Sequence, residues 1–351
     1  MNRPSQRRRS RYACVLTIIC LAWLWVGPHA WAADNWIDVS GALIGRLTNS
    51  GAKLAWPGGC SGVAVNRLNG TVTIKVVGGG LWRSSDKGTN WQRIDNDAIS
   101  GRDETGWATS VDANNPTRMG SFSLDGRAGL FDGVAWKPFT TLGRNWDFGS
   151  VDWSAPVPST IIAAKHETDP PGEVYLTQDC GATWKQLSIH LSDKRDRLSM
   201  LGALDSATFV YCKGEGIQLS KDFGTTWTVV SAENPQTRVP VFFRGAHYLG
   251  DAKGLLVSPD KGVTWKRQGS SVNIWLGPFF GRKETEMVVV GENGAYKTGD
   301  AGTTWAKIGD LRPNGPGFSF KPNWFGCYAW DPINNILYAS AMGNPAYKLE
   351  L

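Results

Sequence analysis

Three observations predict an all-β chain folded as a seven-bladed β-propeller of four-stranded antiparallel blades. An eight-residue pattern, Ser/Thr-x-Asp-x-Gly-x-Thr-Trp with one Asn in the second Thr place, recurs five times. Short alternating strands precede each copy in the same order. The chain ends on three strands and begins, past its leader, on a single one.

The repeat comes first. SSDKGTNW ends at Trp91, TQDCGATW at Trp184, SKDFGTTW at Trp227, SPDKGVTW at Trp265 and TGDAGTTW at Trp305, and a shortened FDGVAW ends at Trp136. These tryptophans lie 45, 48, 43, 38 and 40 residues apart, the period of a four-stranded propeller blade. The local chemistry is that of a hairpin turn. The Asp carboxylate accepts backbone N–H groups further along the loop, and Gly two residues later supplies a positive φ at no steric cost. The hydroxyls add local bonds, and the Trp packs its large face under the hairpin. Each copy therefore joins two antiparallel strands and fixes their register.

The strands between repeats follow. WDFGSVDW, STIIAAKH and GEVYLTQ lead into the repeat at Trp184, and WKQLSI leaves it. NIWLGPFF, EMVVVG, GAYKT and WAKIG repeat that order around Trp305. Helical 3.6 periodicity is not sustained anywhere past the leader. At the end of the chain WFGCYAWD, NILYAS and PAYKLEL are three strands without a fourth, and NWIDVS near the start reads as a fourth without its first three. Splicing them makes the seventh blade and removes a sheet edge that would otherwise need protection.

Residues 1–32 read as a signal peptide. Arg3, Arg7, Arg8, Arg9 and Arg11 precede an apolar run from Ala13 to Gly27, and Ala30-Trp31-Ala32 has the small-x-small pattern of a cleavage site. The run is too short for the roughly 20 residues of a spanning helix, so no membrane span is expected after cleavage, and the remaining residues 33–351 form a single propeller domain in a secreted or periplasmic protein. The leader takes five of the 37 basic residues and no acid, so 32 basic residues face 31 acidic ones. That balance gives no electrostatic case for a nucleic-acid partner. Four cysteines remain, Cys60, Cys180, Cys212 and Cys327, with no CxxC or Cys/His cluster of metal spacing. Cys60 and Cys327 open the innermost strands of neighbouring blades, close enough for a disulfide if their Cα atoms lie within about 7 Å, with two buried thiols as the alternative. Cys180 and Cys212 fall on opposite faces. No metal and no cofactor is expected.

The repeats resemble the Asp-box (BNR) repeats of sialidases, xyloglucan-active endoglucanases, sortilin-type receptors and photosystem II assembly factors. The resemblance covers most of the chain and speaks to fold more than to reaction. It implies that the repeat turns sit at the outer rim, away from the ligand face, and are structural. Sialidases share an Arg-Ile/Leu-Pro sequence before the first repeat; here Arg46-Leu47-Thr48 lacks the proline, and Arg238-Val239-Pro240 falls after the third repeat. Their six blades also differ from seven. Xyloglucanases set two propellers across a cleft with a catalytic aspartate from each, and this chain supplies one propeller.

In a propeller, the loops from fourth to first strand and from second to third share the face opposite the repeat turns, where concave sites gather. On that face fall Asp103, Glu104 and Trp107; Arg144, Trp146 and Asp147, with Asp152 further along; and His166 with Glu167. A carboxylate pair about 5 to 10 Å apart is the geometry of glycoside hydrolysis, which makes Asp147, Glu167 and Asp103 the candidate acid/base residues. Asp152 also matches a strand-end pattern shared with Asp112 and Asp331. A basic and aromatic arc of Arg195, Arg197, Arg238, Arg244, Trp275, Lys321 and Trp324 suits an acidic glycan, because arginine clamps carboxylates. Trp107, Arg144, Trp146, His166, Arg197, Arg238, Trp275 and Trp324 are thus the candidate substrate-binding residues. The expectation is a monomeric, carbohydrate-active glycoside hydrolase; the alternative is a non-catalytic propeller that binds a protein or glycan partner.

Overall fold

The computed structural model describes residues 35–140, 145–168, 172–191, 199–322 and 324–351. The expected leader lies outside these residues, as do Arg144, Arg195 and Arg197.

Seven four-stranded antiparallel sheets make up the propeller. In chain order, blades 1 to 6 span 60–93, 109–138, 146–190, 199–231, 241–268 and 276–309. In each, the first strand is innermost and each next one lies further out. Blade 7 takes its three inner strands from 327–350 and its outermost from Ile37–Asp38, which pairs antiparallel with Tyr347–Glu350 in the register Ile37 to Lys348 and Asp38 to Tyr347. Trp36 lies beside this pairing, edge-on to Tyr328 at 6.3 Å. The ring is therefore closed by its own N-terminal strand.

The inner strands are buried on both sides because each blade packs on its neighbours. Cys60–Val65 of blade 1 is almost wholly buried. One core cluster joins Val63, Val72, Ile74 and Val76 of blade 1 to Cys327, Ala329, Ile336 and Tyr338 of blade 7. Such double burial explains why these strands read as apolar runs, with little polar alternation.

The repeat turns share one hydrogen-bond scheme. Ser84, which ends a strand, donates its hydroxyl to Asp86 (2.7 Å) and accepts the Gly88 N–H (2.9 Å), while Asp86 accepts the Asn90 N–H at 2.8 Å. Thr177/Asp179, Ser220/Asp222, Ser258/Asp260 and Thr298/Asp300 repeat it. The residue before each glycine is also left-handed: Lys87, Cys180, Phe223, Lys261 and Ala301 have φ between +54° and +60°. The turn thus needs two consecutive positive φ values, of which the sequence declares one.

One expectation needs correction. Gly41–Asn49 is an α-helix, where no helical periodicity was legible. It is only nine residues long, with Leu43 buried against the core shared by blades 1 and 7. Asp38 starts it by accepting the N–H groups of Ser40 (2.9 Å) and Gly41 (2.7 Å). Of the two alternatives for Cys60 and Cys327, the structure has the pair of buried free thiols. The Cys60 thiol donates to the Ser40 hydroxyl (3.4 Å) and the Cys327 thiol to the Ser61 carbonyl (3.0 Å). Burial pushes the Cys60 thiol pKa up to about 11 and raises that of Cys327 as well.

Candidate functional site

Residues from the loops of blades 1 to 3 and 7 converge on the face opposite the repeat turns. Asp147 is the second residue of blade 3's inner strand, and His166 follows the second strand of the same blade. Their side chains meet at 2.6 Å, Asp147 Oδ1 on His166 Nδ1. Glu167, with its side chain 72% exposed, places Oε1 3.5 Å from the other ring nitrogen. Glu167 holds a left-handed φ of +44°. One imidazole therefore lies between two carboxylates. Its pKa is raised, first by the Asp147 hydrogen bond and then by the charges of Asp147, Glu104 and Glu167, against the lowering effect of burial. His166 thus stands between the two carboxylates, where a glycoside hydrolase holds the scissile bond.

Asp103 does not open onto this face. It is 1% exposed and paired at 2.6 Å with the equally buried Lys75 of blade 1. Lys75 also donates to Ser121 (3.1 Å) and Ser123, and the Thr109 hydroxyl donates to the other carboxylate oxygen of Asp103 at 2.7 Å. A carboxylate with both oxygens bonded inside the protein is committed to structure. Asp152 likewise accepts the Ser154 N–H at its strand end (3.0 Å), as Asp112 does for Asn114 (2.8 Å) and Asp331 for Ile333 (2.8 Å).

The aromatic and basic candidates divide. Trp146 is fully buried and packs on Trp184 with ring centroids 4.6 Å apart, so it belongs to the core of blade 3. Trp275 is buried too. Trp107 is buried and lines the central channel. Arg238 lies over the Phe148 ring at 5.4 Å. Arg244 sits in the turn between the first two strands of blade 5, bonded to Glu284 at 2.7 Å. That turn is on the face of the repeat turns, so Arg244 leaves the arc. Lys321 and Trp324 remain in the segment entering blade 7, the lysine exposed and the tryptophan half-buried against Phe325.

Sequence reasoning missed Trp56. It lies in the loop entering blade 1 and is 68% exposed. Phe318 meets its ring edge-on at 5.8 Å, and the Arg102 guanidinium lies over it at 5.3 Å. Phe318 meets Phe325 at 4.6 Å, and Phe325 meets Trp324 at 5.9 Å, so four aromatic rings run along the rim. Arg102 in turn bonds Asp125 and approaches Glu104 at 3.7 Å. Trp56 is thereby joined through Arg102 and Glu104 to the His166 cluster. Only its neighbours across the ring give Trp56 its setting, and no local pattern announces them.

Among the described residues, no group of three or more His, Cys, Asp or Glu side chains is placed to hold a metal ion, and no helix is long and apolar enough to cross a membrane. No protein-family model matches the chain, and no curated protein matches it by sequence. Among solved structures it is similar to YCF48 bound to a D1 peptide, with a TM-score of 0.46 and 14% identity over 85% of this chain and 95% of that one. It is similar to YCF48 from Cyanidioschyzon merolae, with a TM-score of 0.44 and 13% identity over 85% and 98%. An ancestral GH74 enzyme gives a TM-score of 0.45 and 15% identity over 84% of this chain, which spans only 45% of the enzyme. The assignment as a seven-bladed propeller rests on the sheet topology itself.

Proposed function

We propose that the protein is secreted or periplasmic and binds a glycan on the face opposite the repeat turns. The carrying observation is Trp56, an exposed indole braced by Phe318 on one side and Arg102 on another. A flat, braced aromatic surface receives the apolar face of a sugar ring at little entropic cost, since its rotamer is already fixed. The neighbouring Glu104, Asp147 and Glu167 supply acceptors for sugar hydroxyls, and Arg102 a donor. A glycan array probed with the wild type and with Trp56→Ala tests this: the bound glycans should weaken at least tenfold in the variant. Equal binding by the two proteins, or no glycan bound by either, refutes it.

A second reading, hydrolysis of that glycan, is favoured by one specific observation. His166 lies between two carboxylates that raise its pKa, so it keeps its proton to higher pH than a free imidazole and can pass it to a leaving oxygen, with Glu167 left to activate water. Full turnover by both His166→Gln and Glu167→Gln on a glycan from the array would remove this reading and leave binding intact.

A further inference from the structure

The central channel is distinct from the Trp56 rim. Inner strands of blades 1, 2, 5, 6 and 7 enclose a cavity of about 130 Å³, walled by apolar side chains that include Val63, Val111, Val241, Leu276 and Phe280. Arg67 joins this lining just past the end of blade 1's inner strand, at the end nearer the repeat turns. Its Nε donates to the Ala113 carbonyl (2.6 Å), and Nη1 to the Gly281 carbonyl (3.0 Å). Its guanidinium lies over the Phe243 ring at 4.9 Å. The side chain is therefore pinned by loops of blades 2 and 6 and by an aromatic ring of blade 5.

What it lacks is a carboxylate in direct contact. Arg102, Arg118, Arg244 and Arg267 each pair with a carboxylate; among the described residues the hydrogen bonds of Arg67 go to backbone carbonyls only. A guanidinium carries five N–H groups, and two are used here. Burial and the nearby charge of Arg244 weaken its hold on its proton, and the charge of Asp112, which partly offsets them, is already paired with Arg118. A second donor is also unused: the buried indole N–H of Trp330, another lining residue, has no hydrogen-bond partner. Arg67 is half-buried, so its three remaining N–H groups are held at the channel wall, open to a ligand that can accept them.

The size and chemistry of the space choose that partner. An apolar cavity of about 150 Å³ takes up benzene, so this channel has room for one small ring or branched chain and no more. A planar guanidinium matches a planar carboxylate. We propose that the central channel binds a small aromatic or branched-chain monocarboxylate, its apolar body against the channel wall and its carboxylate on Arg67. This does not rest on the glycan reading, and either can fail without the other.

Calorimetric titration of the folded protein with benzoate, and with benzyl alcohol as its neutral counterpart, tests the proposal. Benzoate is expected to bind at one site, at least tenfold more tightly than the alcohol. Arg67→Met should weaken it at least tenfold, whereas Trp56→Ala should leave it unchanged. No saturable benzoate binding, equal binding of the alcohol, or full affinity in a folded Arg67→Met protein overturns the proposal. Should Arg67→Met not fold, Val111→Phe fills the channel from another strand with Arg67 intact: loss of benzoate binding supports the site, and unchanged affinity overturns it.

Discussion

The indole N–H of Trp91 donates to the backbone carbonyl of Val39 across 2.8 Å. Trp91 closes the repeat turn of blade 1, and Val39 directly follows the strand that completes blade 7. In two other repeats the equivalent bond stays within the turn, Trp184 donating to Gly181 (3.1 Å) and Trp227 to Gly224 (3.2 Å), while Trp136 of the shortened repeat donates to Ile94, directly after blade 1 (3.2 Å). Gly88 of the same turn is pressed on Val39, where an added Cβ would come within 2.6 Å of the valine Cβ. A generic repeat turn has here become the fastening of the ring.

Trp91→Phe should therefore cost about 1 kcal/mol of global stability, the usual net value of one hydrogen bond. Its particular effect is on the closure: amide exchange should speed up in Tyr347–Glu350, the partner of the N-terminal strand. Trp184→Phe should leave exchange in that strand unchanged. Hydrogen exchange of the two variants checks this, and equal protection of the closing strand in both would refute the fastening role.

The repeat-turn aspartates fix a pH dependence. Asp222 is held down to about 2, first by the Thr226 hydroxyl, then by the Thr226 N–H and the Ser220 hydroxyl; hydrogen bonds hold Asp86, Asp179 and Asp300 down to about 2 as well. A carboxyl whose folded pKa lies below its unfolded value of about 3.9 adds stability above that value and loses it as pH falls toward the folded one. Asp222→Ala should melt below the wild type at pH 7, with the gap narrowing between about pH 4 and pH 2. Melting curves across that range decide it; a constant gap would mean that the charge contributes nothing.

His166 behaves with the opposite sign. Its folded pKa is raised by Asp147, so its contribution to stability is fully present below the unfolded value of about 6.5 and is lost as pH rises through the folded value. The melting difference between wild type and His166→Gln should shrink as the solution is made alkaline through that window. An NMR titration of the ring should give a midpoint above 6.5, and Asp147→Asn should move it down. A midpoint unmoved by that substitution would place the cause elsewhere.

What the sequence made legible follows from where each interaction lies along the chain. A repeat turn satisfies its polar side chains within about eight residues, so Ser84, Asp86, Gly88 and Asn90 announce it. The closure was legible because three strands lacked a fourth. The site face was legible only in part, because its contacts run between loops of different blades. Asp147 and His166 share a blade, and their pairing follows from strand order. Trp56 meets Phe318 and Arg102 only once the ring is closed. Trp146 looked like a binding residue by its place at a strand end, but its side chain turns inward onto Trp184. The helix Gly41–Asn49 is too short to show a period, and its start depends on Asp38 just before it.

The last expectation concerns Lys75 and Asp103, joined at 2.6 Å with neither side chain exposed. Lys75 belongs to the second strand of blade 1, and Asp103 to the loop entering blade 2, so the pair ties two blades beneath the site face. Ser121, Ser123 and Thr109 supply further bonds from blade 2. Removing one member strands the other charge away from water, which costs about 3–5 kcal/mol, whereas replacing both by apolar groups of similar volume is often close to neutral. Lys75→Met and Asp103→Leu should each lower the unfolding free energy by several kcal/mol, and the double variant should lose much less than the two together. Denaturant unfolding of the four proteins measures the coupling. If Lys75→Met alone stays within about 1 kcal/mol of wild type, the pair is not what holds the two blades together.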